Sequence, residues 1–165
     1  LKLLDRRGNT RVKVKEPIDF SNEGIYFYNS LFTTTNTKGD LVQVNTKGSV
    51  SRQNLELDPN HDITTSSKTL VIRNENKLSI KSNIIDLDYA SYTPPSLFYL
   101  KDKIYITITD LQAKKVWIYN SQGNAFPKVP VFGTSAIDLA NADGDSALEF
   151  VTKSDSNSLI LYQMY

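Results

Sequence analysis

The chain contains no cysteine, and this absence excludes several kinds of site. Among its 165 residues there is also only one histidine and one tryptophan. Without cysteine there can be no disulfide, no thiol nucleophile and no thiolate metal ligand. Disulfide scaffolds and thiol chemistry are therefore excluded as explanations of the fold or of the function.

Long apolar runs and blocks of like charge are also missing. No stretch of about 18 apolar residues occurs, so the sequence predicts no membrane-spanning helix. Lysine and arginine total 19 against 18 acidic residues, a net charge of +1. Neither sign of charge forms a run of about five or six residues, of the kind that binds nucleic acid or anionic membranes. We therefore expect no nucleic acid partner and no membrane insertion.

Helical periodicity is hard to find, whereas one short motif recurs along the chain. The motif is an apolar strand followed by Asp or Asn, two turn residues and Gly. It is anchored at Asp5, Asn45 and Asn120, and degenerate copies place Ser82 and Gln163 at the same position. The five anchors are separated by 40, 37, 38 and 43 residues. This regular spacing predicts structural repeats of about 40 residues.

Each of the four later copies follows a second apolar segment, and each such pair predicts a β-hairpin. The linkers TKG, NEN, DLQAK and SDSNS carry the polar and glycine-type residues of tight β connections. The segments GIYFYN and PSLFYL predict further strands upstream. About four antiparallel strands per repeat is typical of a β-propeller. We predict an all-β fold, a β-propeller or part of one; a β-sandwich or an unrelated barrel is the alternative.

The length suits a single domain covering residues 1–165. Its first and last segments correspond to the same strand of the repeat, so both would compete for one place in a closed ring. The chain also begins with Leu1 rather than Met. We therefore expect an excised portion of a longer chain, whose other domains are among its partners; an atypical closure of about four or five blades is the alternative.

The loop ANADGDSALEFV carries the sharpest chemical pattern in the sequence. Asn141, Asp143 and Asp145 alternate around Gly144, and Glu149 follows four residues after the last of them. Calcium takes about six to eight oxygen ligands, and alternation directs successive side chains at one centre while glycine permits the bend. The alternative is a plain turn, in which Asp and Asn side chains bond their own backbone.

The same loop resembles the calcium loop of bacterial FG-GAP or VCBS-type propeller repeats, Asp-x-Asp-Gly-Asp-Gly-x-x-Glu followed by an apolar strand. The preceding FPKVPVFGTSAIDL is similar to the family's approach to that loop. The resemblance implies metal-ligand roles for Asn141, Asp143, Asp145 and Glu149, a structural Ca²⁺, and an extracytoplasmic location. In this chain Asn141 replaces the first acid of the pattern and Ser146 replaces its second glycine.

Signals for catalysis are poorer. His61 lies in a polar segment containing proline, where we expect it to be solvated. Asp86 and Asp88, with Asp143 and Asp145, could supply the two carboxylates of a glycosidase, as could many acidic loops. We therefore assign no catalytic residue.

Aromatic residues are plentiful, with nine tyrosines, seven phenylalanines and Trp117. Packing between repeats accounts for most of them, Trp117 included, and exposed ones would suit recognition of a protein or a carbohydrate. We expect a non-catalytic propeller module that acts as a binding or scaffold surface in a larger secreted or cell-envelope protein. The alternatives are a glycan-active hydrolase or lyase with loop carboxylates, and a purely structural spacer domain.

Overall fold

A computed structural model describes residues 2–14, 16–21 and 23–164. These residues contain seventeen β-strands and no helix, so the predicted all-β fold is confirmed. No helix in the described part of the chain has the length and apolarity needed to cross a bilayer. The strands are β1 Lys2–Leu4, β2 Thr10–Lys13, β3 Tyr26–Tyr28, β4 Leu31–Thr35, β5 Asp40–Val44, β6 Val50–Asn54, β7 Asp62–Thr65, β8 Leu70–Asn74, β9 Lys77–Ile80, β10 Asn83–Asp86, β11 Ser96–Leu100, β12 Lys103–Asp110, β13 Lys115–Tyr119, β14 Val131–Phe132, β15 Asp138–Ala140, β16 Leu148–Lys153 and β17 Leu159–Met164.

The strands form antiparallel sheets that follow one another along the chain, and within each sheet every strand pairs with its neighbours in sequence. The first sheet is β1–β2, the second β3–β6, the third β7–β10, the fourth β11–β14 and the fifth β15–β17. The four predicted hairpins are confirmed as the pairs β4–β5, β8–β9, β12–β13 and β16–β17. Three anchors, Asp5, Asn45 and Asn120, directly follow β1, β5 and β13, and Gln163 lies within β17. Ser82 lies in the turn after β9.

The Asp/Asn-x-x-Gly motif forms the same turn in three sheets. Asp5 Oδ1 accepts hydrogen bonds from the backbone N–H groups two and four residues later, at 2.8 and 3.0 Å. Asn45 and Asn120 make the same pair of bonds at 2.9 and 3.0 Å. Gly8 and the glycines of the other two copies have φ between +81° and +85°, a conformation that residues with a Cβ adopt at a cost.

The apolar core is divided into clusters that each join two consecutive sheets. The cluster between the second and third sheets is the smallest, and the one between the fourth and fifth is the largest. The clusters are Leu41, Ile63 and Ile72; then Val71, Leu78, Ile80, Ile106, Ile108 and Tyr119; then Tyr105, Val116, Ile118, Ile137, Leu139, Leu148 and Phe150. The third and fourth sheets therefore bury side chains on both faces, and the sheets are stacked in chain order.

Trp117 packs against the cluster between the third and fourth sheets, which confirms its predicted place in the core. Its ring stacks on Tyr119 with a centroid distance of 6.1 Å. Burial, and then the neighbouring Tyr92, raise the pKa of Tyr119 to about 12.

The raised pKa of Tyr119 predicts a loss of stability in alkali. Its folded pKa lies above the unfolded value of 10.0, so its contribution is complete below pH 10 and is lost as pH rises towards about 12. Urea unfolding at several pH values should show a steeper decline for the wild type than for Tyr119→Phe. Parallel curves for the two proteins would contradict this assignment.

His61 is buried, which corrects the expectation that it is solvated. Its side chain is only 4% exposed. Nδ1 lies 2.6 Å from the Asp58 carbonyl oxygen, which can only accept, so Nδ1 carries the proton. In the neutral imidazole Nε2 is then the acceptor, and it accepts the hydroxyl proton of Thr35 at 2.7 Å. The end of β4 is fully buried there, and the polar segment folds over it to supply the hydrogen-bond partner that a buried hydroxyl requires.

Candidate metal site

The acidic loop joins β15 to β16, the first two strands of the fifth sheet. Ala140 pairs with Glu149 across these strands, so the loop is closed at its base by the sheet. Glu149 lies on β16 and is 6% exposed, whereas Asp143 and Asp145 are exposed at the tip. One carboxylate is thus fixed by the fold, and the other two are placed above it by the loop.

Each side chain of the predicted ligand set accepts a backbone N–H from the loop itself. The bonds run from Gly144 to Asn141 Oδ1 at 2.6 Å, from Asp145 to Asp143 Oδ1 at 3.1 Å, from Ala147 to Asp145 Oδ1 at 2.6 Å and from Ala142 to Glu149 Oε2 at 2.8 Å. Such bonds satisfy the turn's backbone donors, as the alternative prediction of a plain turn also required. They engage only one oxygen of each carboxylate.

The loop brings three carboxylates together. Asp143, Asp145 and Glu149 each offer an oxygen atom, and these three atoms lie within 4.8 Å of one another. Two like charges about 4 Å apart repel by about 1 kcal/mol in bulk water and by about 4 kcal/mol at an effective dielectric constant of about 20. A cation placed among the three oxygens would remove this repulsion, so the group could hold a metal ion.

Two neighbouring side chains complete the surroundings of the loop. Lys101, in the turn between β11 and β12, donates from Nζ to the carbonyl oxygens of Asp145 and Ser146 at 3.2 and 3.0 Å, and to that of the following residue. Gln163 Nε2 lies 3.4 Å from Glu149 Oε1. Three carboxylates and one ammonium leave a formal charge of −2, since −3 plus +1 is −2, which a divalent cation would neutralise.

The donor chemistry fits calcium. Hard oxygen ligands are those that Ca²⁺ prefers, at about 2.3–2.6 Å from the ion. The 4.8 Å limit on the oxygen separations is about twice that bond length, so a single ion could contact all three carboxylates. Asn141 shapes the loop from both ends of its amide, because Nδ2 also donates to the Asp145 carbonyl at 2.7 Å. Its role as a metal ligand remains a prediction.

Neither a protein-family model nor a curated protein sequence matches this chain. The likeness to FG-GAP or VCBS calcium loops is therefore carried by the residues of the loop alone. The described residues show an all-β, repeat-like fold, and among them is one acidic group suited to a metal ion. The family, the identity of the ion and the extracytoplasmic location remain predictions.

The other carboxylates considered for a glycosidase do not join this group. Asp86 ends β10, on the outermost strand of the third sheet, and Asp88 follows it. Sequence reasoning missed Lys101 and the contact of Gln163 with the loop. The second could have been found, because the predicted β16–β17 hairpin pairs Gln163 with Glu149. Nothing in the sequence connects Lys101 with a loop more than 40 residues away.

Proposed function

We propose that this chain is a non-catalytic β-propeller module, a binding or scaffold surface of a larger secreted or cell-envelope protein, in which the acidic loop holds one structural calcium ion. The observation that carries the metal site is the group of three carboxylate oxygens within 4.8 Å. All three acids come from one loop and its adjoining strand. This favours a structural ion over an active site, whose carboxylates would converge from several repeats.

The arrangement of the sheets supports the propeller. The sheets are stacked in chain order, and β7, the first strand of the third sheet, lies beside β3 and β11, the first strands of its two neighbours. The fourth strands β6 and β10 are mostly exposed. First strands that meet at the centre, with last strands at the rim, are what radial repetition of four-stranded sheets produces.

Calcium would have a structural role here. It would neutralise the carboxylates and so stiffen the loop. Asp143, Asp145 and Glu149 would hold the ion. Lys101 donates hydrogen bonds to the carbonyl groups at the end of the loop, so the neighbouring sheet sets part of the loop's conformation. Because the unfolded chain has no such group of ligands, binding would stabilise the folded state.

The test is a calcium titration by calorimetry, together with melting temperatures measured in calcium and in chelator. We expect the wild type to bind, and calcium at tenfold excess over Kd to stabilise the fold by about 1.4 kcal/mol. Asp143→Asn and Asp145→Asn remove charge but keep an oxygen acceptor for the loop backbone. Both should weaken binding by about tenfold or more, which is about 1.4 kcal/mol.

Asp155→Asn is the matched control for these variants. Asp155 is an exposed acid in the β16–β17 turn of the same sheet, outside the acidic group, and its ion pair with Lys114 is at the surface. The loss of the Asp155 charge should leave calcium binding unchanged. Absence of heat and of any melting shift at millimolar calcium would make the loop a plain turn, and equal losses in all three variants would indicate nonspecific attraction of the ion.

A further inference from the structure

The turn after the third strand of the sheet is shorter in the third sheet than in its neighbours. In the second and fourth sheets this turn is the Asp/Asn-x-x-Gly motif, which starts at Asn45 and Asn120. In the third sheet only Lys81 and Ser82 separate β9 from β10, with Lys81 at a φ of +55°. The degenerate copy of the sequence repeat is thus a structural irregularity at one place in the stack.

The longer turns close the gap between neighbouring sheets at their outer strands. A Cβ added at Gly123 would lie 3.4 Å from Asn83 and 3.6 Å from Ile85, on the outer strand of the preceding sheet. Asn83 Nδ2 also donates to the Gln122 carbonyl in that turn at 2.9 Å. A Cβ added at Gly48 would lie only 2.5 Å from Val12 Cγ1, on the outer strand of the first sheet. The third sheet has only a short turn at this place, so it places no glycine turn against β6, the outer strand of the second sheet.

A cleft of about 590 Å³ lies where the missing turn would have been, between the second and third sheets. This volume is within the range of small-molecule sites, roughly 300–1,000 Å³. The core cluster between these two sheets is also the smallest of the three. The cleft is therefore part of the architecture at this interface, opened by one shortened turn.

Polar side chains line this cleft at repeat positions that are apolar elsewhere. Gln43, two residues before its anchor, corresponds to Ile80 and Ile118, which are both fully buried between sheets. Ser79 and Lys81 also line the cleft. They lie three residues and one residue before their anchor, Ser82. Their counterparts in the fourth sheet are the stacked aromatic residues Trp117 and Tyr119.

Several of these polar groups have no partner within the described residues. The hydroxyl of Ser79, the amide of Gln53 and the ammonium groups of Lys77 and Lys81 form neither a hydrogen bond nor an ion pair there. Buried apolar side chains, Leu41 among them, form the inner wall. The cleft thus combines an apolar surface, neutral hydrogen-bonding groups, the two positive charges of Lys77 and Lys81 and the one negative charge of Glu56, which leaves it net positive.

We propose that this cleft binds a short acidic saccharide. A sugar ring has an apolar face for the inner wall at Leu41, hydroxyl groups for Gln53 and Ser79, and, in a uronic acid, a carboxylate for Lys77 and Lys81. Most of the lining residues lie on strands of two different sheets, and the rest lie in the segments between strands. The proposal names a ligand for the binding role proposed above and rests on that role.

Calorimetric titration with the tetramer of α-1,4-linked galacturonic acid tests the proposal, with its methyl ester as the uncharged control ligand. The acid should bind and its ester should bind at least about tenfold more weakly. The double variant Lys77→Gln, Lys81→Asn removes both charges and places at 81 a residue that tolerates positive φ. It should lose affinity for the acid by about tenfold or more. Lys103→Gln, which changes another exposed lysine at the start of a strand, should not.

A second variant, Ser79→Trp, places in the cleft the residue that the fourth sheet has at this repeat position. It should abolish saccharide binding while the calcium-dependent melting shift persists, which separates loss of the cleft from loss of the fold. Failure of the galacturonate, mannuronate and guluronate tetramers all to bind at millimolar concentration would overturn the proposal. So would equal affinity for acid and ester, or tighter binding of tetraglutamate. None of these results would alter the outcome of the calcium titration.

Discussion

Gly39→Ala is expected to destabilise the protein by about 2–5 kcal/mol, whereas Gly8→Ala should cost only about 1–2 kcal/mol. Both glycines end an Asp/Asn-x-x-Gly turn, with φ of +79° and +81°. A Cβ at Gly39 would lie 2.6 Å from the Leu57 nitrogen and 2.8 Å from its oxygen, and no heavy atom lies within 4 Å of the corresponding position at Gly8. The first substitution therefore adds a clash with backbone to the cost of positive φ.

Urea unfolding of the two variants and the wild type measures this difference directly. The Gly39 carbonyl also accepts N–H groups from Leu55 and Leu57 at 3.2 and 3.3 Å, so the segment after β6 cannot move away without losing these bonds. Gly8→Ala serves as the control for the conformational cost alone. Equal losses of stability in the two variants would mean that the segment at Leu57 adjusts freely and that only the φ angle matters.

The same turns explain why so much of the fold could be predicted from the sequence. The strands and hairpins follow from local patterns. Asn45 and Asn120 accept hydrogen bonds from the backbone of their own turns, and the two apolar segments of each hairpin are joined by only two to five residues. The repeat then extends those local units to the whole chain. Contacts between sheets have no such local pattern. The burial of His61 depends on Thr35, in the preceding sheet, and polar neighbours in sequence predicted the opposite.

The candidate metal site could likewise be predicted from the sequence only in part. The carboxylates of Asp143, Asp145 and Glu149 could be assigned to one group because a single loop and the next strand supply them. Lys101 comes from the neighbouring sheet, and only the packing of the fourth sheet on the fifth places it at the carbonyl groups of the loop. The cleft beside Ser79 is a further property of packing, although the absent glycine after Ser82 was visible in the sequence as an irregular repeat.

Thr35→Val is expected to destabilise the protein by about 3 kcal/mol, whereas Thr69→Val should be neutral or stabilising. Both threonines are fully buried. Thr35 Oγ1 donates to His61 Nε2 at 2.7 Å and lies 2.6 Å from Ser21 Oγ, which therefore donates to it. The hydroxyl of Thr69 has no hydrogen-bond partner among the described residues. Valine thus leaves His61 without its donor in one case, and removes an unsatisfied group in the other.

A double-mutant cycle with His61→Leu separates the hydrogen bond from general packing. If the Thr35–His61 bond carries the effect, the double variant should be more stable than the sum of the two single losses predicts, by about 1 kcal/mol or more. The reason is that a buried donor and acceptor removed together leave fewer unpaired groups than either removed alone. Strict additivity, or equal effects of valine at positions 35 and 69, would contradict this assignment. Either result would show that the hydrogen bond between Thr35 and His61 adds no stability beyond the packing of these side chains between the second and third sheets.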